Sequence, residues 1–338
     1  MTPAIGARYR GNVSGVNHGS TREVYHAAPP WQADIAVCRV FSVAWGLTFA
    51  YESVAIVARK RMKIDSHQHF WKYSEVEYPW MGDALAMCRR DLLPADLEPL
   101  LDAAGLDGSI AVQARQIVGE TDFLLDLAAA HPRILGVVGW VPLCDAGVGR
   151  DLEHYAAMEK VVGFRHVIQD EPDDDFILRP DFNAGVRELG KYSFCYDILI
   201  YSKHLPQTLR FVDQHPGIRM VLDHVAKPSI RKGEFDHAWA ENVRELARRD
   251  HVTCKISGMA TEVLDDAWDE STLRPYFDTI LEAFGPQRMM FGSDWPVCLM
   301  RTSHARWVDV VRQWIASLSN DEQNAIMGGT AEKFYLQR

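Results

Sequence analysis

The chain has 338 residues, 47% hydrophobic and 24% charged, and a formal net charge of -10. That length admits two average domains or one large α/β barrel, and the acidic balance offers no basic face to nucleic acid or anionic lipid. Six cysteines, none in a C-x-x-C pair, argue against a zinc ribbon or disulfide framework and fit a reducing, cytoplasmic setting.

Residues 1–61 show no sustained period of 2 or 3.6, so they read as a loose or disordered extension. They carry no secretory pattern. Their most apolar run, "VFSVAWGLTFAY", is shorter than the ~20 residues of a membrane span, so no membrane partner is expected. Met62 directly precedes the first regular segment, as if the extension came from a start assigned too far upstream, with the functional domain at 62–338.

From Met62 short β-branched runs alternate with amphipathic stretches. The first strand is "MKIDSH" (62–67), followed by a helix in "ADLEPLLDAAG" that stops at Gly105. Strand "GSIAVQA" (108–114) leads to a helix in "ETDFLLDLAAAHP", stopped near Pro132. Strands "ILGVVGWV" (134–141), "VVGFRHV" (161–167), "FCYDILI" (194–200) and "RMVLDHV" (219–225) come next, the last before a helical "FDHAWAENVRELARR". "VTCKISG" (252–258), the helix "ESTLRPYFDTILEAFG" and "MMFGSDW" (289–295) precede two closing helices, "SHARWVDVVRQWIASL" and "NDEQNAIMGGTAEKFY". Near-continuous apolar strands are covered on both faces. Eight such β/α units in about 250 residues predict a (β/α)8 TIM barrel.

Active sites of such barrels sit at the C-terminal ends of the strands. There the first strand delivers Asp65, His67 and His69, the second Gln113 and Arg115, and the third Trp140. The fourth gives Arg165 and His166, the fifth Asp197 and Tyr201, the sixth Asp223 and His224, the seventh Lys255 and Ser257, and the eighth Ser293 and Asp294. The sharpest subset is His67, His69, His224 and Asp294. Imidazoles and a carboxylate suit zinc or another divalent ion, and three or four of them leave a position open for water. Asp294 could also take a proton from that water and return it to a leaving group.

Blander readings stay open at each position. His67 and His69 could be a satisfied pair, and Asp294 in "GSDWP" a turn or capping aspartate. Arg165 and His166 could bind substrate oxygens or pair with "QDEPDDD". Trp71, Trp80 and Trp140 could stack on a sugar ring or fill the core. Lys255, flanked by apolar residues, needs a partner.

The motifs "DSHQHFW", "YPWM", "VQAR", "GVVGWV", "GFRH", "VLDHVAKP", "CKISGM" and "FGSDWPVC" together resemble the amidohydrolase superfamily, and within it the sugar-lactonase branch of fuconolactonase- and rhamnonolactonase-like enzymes. The resemblance runs from Met62 to the C-terminus and leaves out residues 1–61. It implies the barrel. It also implies that His67 and His69 are the first-strand pair, that His224 is the sixth-strand histidine and that Asp294 is the eighth-strand proton carrier. His166 stands where other branches carry a bridging lysine, so a two-metal site is not implied. One Zn²⁺ or other divalent ion is expected, not necessarily required for turnover. The implied reaction is hydrolysis of a small sugar lactone. Asp294 would serve as base, the histidine cluster would polarise the carbonyl with or without metal, and Gln113, His166, Trp140 and Trp71 would hold hydroxyls and ring. The sequence leaves a homo-oligomer open. Two rivals remain: a metal-dependent aromatic decarboxylase, whose E-x-A-x-H opening differs from D-S-H-Q-H here, and a non-catalytic sugar-acid-binding barrel, which would have no use for a proton carrier.

Overall fold

The computed structural model describes residues 61–337; the expectation for the N-terminal extension therefore lies outside the described residues. The eight predicted strands form in sequence order as one parallel sheet. They are β1 (Ile64–Gln68), β2 (Gly108–Val112), β3 (Ile134–Gly139), β4 (Val161–Val167), β5 (Cys195–Leu199), β6 (Met220–Leu222), β7 (Val252–Ile256) and β8 (Met289–Phe291). The sheet closes on itself past the ends of β1 and β8, where Asp294 N donates to His67 O at 2.8 Å and His69 N donates to Trp295 O at 2.7 Å. Asp65, buried in β1, adds to this seam by accepting from Ser293 N at 2.8 Å. The result is a (β/α)8 barrel whose closing seam passes through the residues singled out above.

Helices α1 (Pro94–Ala104), α2 (Glu120–Ala130), α3 (Val148–Ala156), α4 (Pro180–Leu189), α5 (Leu205–Asp213), α6 (His237–Leu246), α7 (Glu270–Phe284) and α8 (His304–Ile315) cover the strands. Helices α3, α4 and α5 lie where no distinct helical pattern is legible in the sequence. They are nine or ten residues long and lean on tertiary packing of Leu152, Phe182, Val186 and Phe211, as short helices must. The starts of α6, α7 and α8 are set by side-chain caps from Asp236, Asp269 and Ser303. The last expected helix runs only over α9 (Asn320–Asn324) before giving way to wide π-helical turns, Ala325–Gly329 and Glu332–Leu336. The break coincides with Gly328-Gly329, a pair too permissive to hold regular helix.

These turns plug the bottom of the barrel. Ala331, Phe334 and Tyr335 pack against Ile64, Ile110, Val112, Val138, Cys195, Val221 and Met290. Above that apolar layer the buried side chains change character to Asp197, Lys255, Asp223, His67, Arg165 and Gln113. The lower half supplies hydrophobic stability, and the upper half is reserved for charge. No disulfide forms among the described cysteines, and no described helix is long and apolar enough to cross a membrane.

Candidate active site

The four candidate residues converge although up to 227 positions separate them in sequence. His67 Nε2 lies 3.2 Å from His69 Nε2. Asp294 Oδ1 stands 3.5 Å from His69 Nε2 and 3.9 Å from both His67 Nε2 and His224 Nε2. Donors bound tetrahedrally at zinc distances sit about 3.3–3.6 Å apart; His67, His69 and Asp294 come near this spacing, and His224 forms a second such group with His67 and Asp223.

Each ring is oriented from behind. His69 Nδ1 donates to Val112 O at 2.8 Å, which turns the Nε2 lone pair inward. His224 Nδ1 meets Ser257 Oγ at 2.9 Å. His67 Nδ1 is 3.3 Å from Asp223 Oδ1 and 3.1 Å from Lys255 Nζ, while its Nε2 accepts from Arg165 Nη1 at 3.2 Å. The cluster thus presents lone pairs and a carboxylate, a donor set complementary to a cation. Arg165 is the positive charge this chain itself supplies there. Its guanidinium also binds Asp223 Oδ2 at 3.0 Å and Gln113 O and Oε1 at 2.6 and 2.9 Å.

Behind the rings is a buried ionic ladder. Lys255 Nζ bonds Asp197 Oδ2 at 2.6 Å and lies 3.0 Å from Asp223 Oδ1. Tyr335 donates to Asp197 Oδ2 at 2.8 Å from the plug below. Asp197, Asp223 and Asp294 against Arg165 and Lys255 leave one negative charge over. Burial opposes the charge on Asp223, but Lys255, His67 and Arg165 hold its carboxyl well below the usual range. Burial also opposes the Lys255 ammonium, yet Asp197 and Asp223 raise its pKa above the ordinary value. Burial pulls His67 well below 6.5 and His224 down to about 4. Burial works to raise Asp294 as well, but His224, His69 and His67 keep it below the usual carboxylate value. At neutral pH His67 and His224 are therefore neutral and Asp294 is ionised, the states in which both bind a cation.

Backbone geometry places the outer pair. Residues His224, Val225, Ala226 and Lys227 have φ of 51°, 49°, 62° and 46°, a left-handed turn built without glycine. Each such residue costs about 1–2 kcal/mol, strain that accumulates at functional sites. Trp239 Nε1 ties the turn down by donating to Val225 O at 2.7 Å. Gly258 leaves room for the His224 ring, since a Cβ there would stand 2.6 Å from Nδ1. Asp294 also sits at positive φ, 58°.

Above the cluster opens a cavity of about 550 Å³ lined by His69, Gln113, Arg165, His224 and Asp294, and by Trp80, Tyr201, Lys227 and Glu262. Of the four residues expected to hold substrate, Gln113 is in this lining. The other three are placed elsewhere. His166 is adjacent to Arg165, so the strand turns it to the opposite face, where it bonds Glu171 at 2.6 Å and stacks on Phe176. Trp71 is fully buried and its indole donates to Cys88 O and Arg90 O. Trp140 is half-buried outside the lining, its backbone clasped by Thr121 Oγ1. The tryptophan in the cavity is Trp80, 42% exposed. Neither Lys227 nor Glu262 stood out in the sequence, although Lys227 falls inside the motif "VLDHVAKP" and Glu262 lies three residues past "CKISGM".

A parallel (β/α)8 barrel with histidines and an aspartate converging at its C-terminal mouth defines a hydrolase of the metal-site type. The amidohydrolase family model matches residues 64–336, and the chain belongs to that family. It is 41% identical over 287 residues to an L-fucono-1,5-lactonase of Burkholderia multivorans, covering 81% of this chain and 96% of that one. It is 34% identical over 277 residues to an L-fucono-1,5-lactonase of Burkholderia ambifaria, covering 81% and 95%. A crystal structure of a Burkholderia multivorans amidohydrolase with bound zinc superposes with a TM-score of 0.77 at 42% identity, covering 81% of this chain and 99% of that one.

Proposed function

We propose that the protein hydrolyses a small sugar lactone, of the L-fucono-1,5-lactone type, to the open sugar acid. The observation that carries this reading is the convergence of His69, His224 and Asp294 at the floor of a sugar-sized cavity, with His67 buried behind them, in a chain 41% identical to an L-fucono-1,5-lactonase.

The lactone would lie with its carbonyl over the cluster and its ring against Trp80, an apolar face suited to sugar C–H bonds. Asp294, ionised at neutral pH, takes a proton from the attacking water. Held below the usual carboxylate range, it is a weak base, and its protonated form is correspondingly a strong acid. It therefore returns the proton readily to the ring oxygen as the C–O bond breaks. His67, His69, His224 and Asp294 would hold a divalent ion, which when bound supplies Lewis-acid polarisation and a more acidic water. The imidazoles present lone pairs inward, so by themselves they donate nothing to a carbonyl. Arg165, whose N–H groups are engaged by His67, Asp223 and Gln113, is the resident positive charge able to steady a developing oxyanion through its field. A lactone is a reactive ester that needs less such help than an amide.

The test is a panel of sugar lactones and carboxylated aromatics, read by acid release and by CO₂ release. Acid release from a sugar lactone is expected, with Asp294→Asn slowed about 10²–10⁴-fold and natively folded by circular dichroism. Activity is expected to survive chelation in part because Arg165 stays in place; complete loss would assign the polarising charge to the ion. Absence of acid release together with CO₂ release would replace the lactonase reading with a decarboxylase.

A further inference from the structure

The left-handed turn after β6 delivers two side chains into the cavity, His224 at its start and Lys227 at its end. His224 belongs to the cluster already described. Lys227 does not, and its surroundings are incomplete. Its side chain is only 17% exposed, and so is that of Glu262, the nearest carboxylate. The two stand 3.8 Å apart, beyond the 2.7–3.2 Å of a hydrogen bond. No hydrogen bond to Lys227 Nζ forms among the described residues; its other neighbour is the Tyr201 ring, with Nζ 5.7 Å from the centroid. Glu262 Oε1 receives only a long 3.5 Å contact from Thr261 Oγ1. Both groups line the same cavity as Asp294 and Trp80.

Two largely desolvated opposite charges, close but not bonded, cost free energy until a partner completes them. The gap suits one hydroxyl group, which can accept from an ammonium and donate to a carboxylate at once. A carbonyl or methylene in that place satisfies at most one of the two. Burial raises the pKa of the Glu262 carboxyl, with Lys227 opposing and Asp294 adding to the rise, as befits an acceptor short of donors.

We propose that Lys227 and Glu262 are the specificity pair of this site, gripping one hydroxyl of the lactone between them and so selecting polyhydroxylated lactones over bare ones. The inference rests on the lactonase reading. Neither residue is required to move a proton in the hydrolysis; the pair fixes which ring enters and how it is turned above Asp294.

The experiment compares kcat/KM for the polyhydroxylated lactone the protein opens fastest with that for δ-valerolactone, a six-membered lactone without hydroxyls. Wild type, Lys227→Met and Glu262→Gln are measured, with thermal unfolding confirming that each folds. Wild type is expected to favour the hydroxylated lactone by at least about 10²-fold, since a site built to bond a hydroxyl rejects its deoxy analogue strongly. Each variant is expected to reduce that ratio at least tenfold. A ratio that stays at its wild-type value in both variants overturns the proposal. So does an equal loss on both lactones, which would make the residues structural or catalytic, and so does a wild type indifferent to hydroxyls. If wild type opens no lactone at all, the lactonase reading itself fails, an outcome distinct from these.

Discussion

Gly258→Ala tests whether the site depends on the fixed position of His224. Gly258 follows Ser257, whose hydroxyl holds His224 Nδ1 at 2.9 Å, and it sits at φ +62°. An alanine Cβ there would lie 2.6 Å from Nδ1 and 2.9 Å from Cγ of His224. Comfortable contact begins near about 3.5 Å, so the ring must retreat by about 0.9 Å. The left-handed backbone costs an L-residue about 1–2 kcal/mol. Losing the Ser257 bond adds about 0.5–1.5 kcal/mol, for a total of ~1.5–3.5 kcal/mol. A displacement of about 1 Å in a catalytic group can cost on the order of 10²-fold in rate. Denaturant unfolding and steady-state lactone kinetics read the two effects separately. Gly105→Ala is the control: Gly105 also has positive φ, 59°, at the end of α1, but a Cβ there meets nothing within 4 Å. It should lose about 1–2 kcal/mol and keep wild-type kcat/KM. Wild-type turnover in Gly258→Ala, or an equal loss of turnover in Gly105→Ala, would refute the reasoning.

Lys255→Met should destabilise the protein by about 3–5 kcal/mol in denaturant, because it strands the buried carboxylates Asp197 and Asp223. Lys203→Met, which breaks an ion pair with Asp174 more than half exposed on both sides, should leave stability nearly unchanged; equal costs would mean the ladder carries no special weight. Burial lowers the His215 pKa to about 4, and its Nε2 bonds Asn183 Oδ1 at 2.7 Å. The unfolded chain, with a pKa near ~6.5, binds this proton first. Its contribution to stability is therefore complete above that pH and is lost as pH falls from about 6.5 towards 4. His215→Gln should flatten that part of the stability-pH curve, and an unchanged curve would remove His215 as its source.

The sequence alone determined the barrel, because eight apolar strands separated by amphipathic or turn-rich segments leave a parallel closed sheet as the economical solution. It also marked the residues that the fold brings together: a residue at a strand end is committed to the barrel mouth whatever the neighbouring strands do, so His67, His69, His224 and Asp294 were legible as candidates one strand at a time. What a strand cannot reveal locally is which of two adjacent residues faces inward. Hence His166 was expected at the substrate and Arg165 was not, whereas closure of the sheet sent Arg165 to His67 and His166 to Phe176. Tryptophans pose the same ambiguity, since an indole suits core and ligand alike; packing buried Trp71 and left Trp80 in the cavity. Helices α3 to α5 were faint because their stability comes from the barrel they cover. Lys227 and Glu262 acquire a meaning only when a left-handed turn after β6 and the loop after β7 bring them within 3.8 Å. Periodicity encodes which face of an element is buried, whereas the distance between two loops is set by the whole fold.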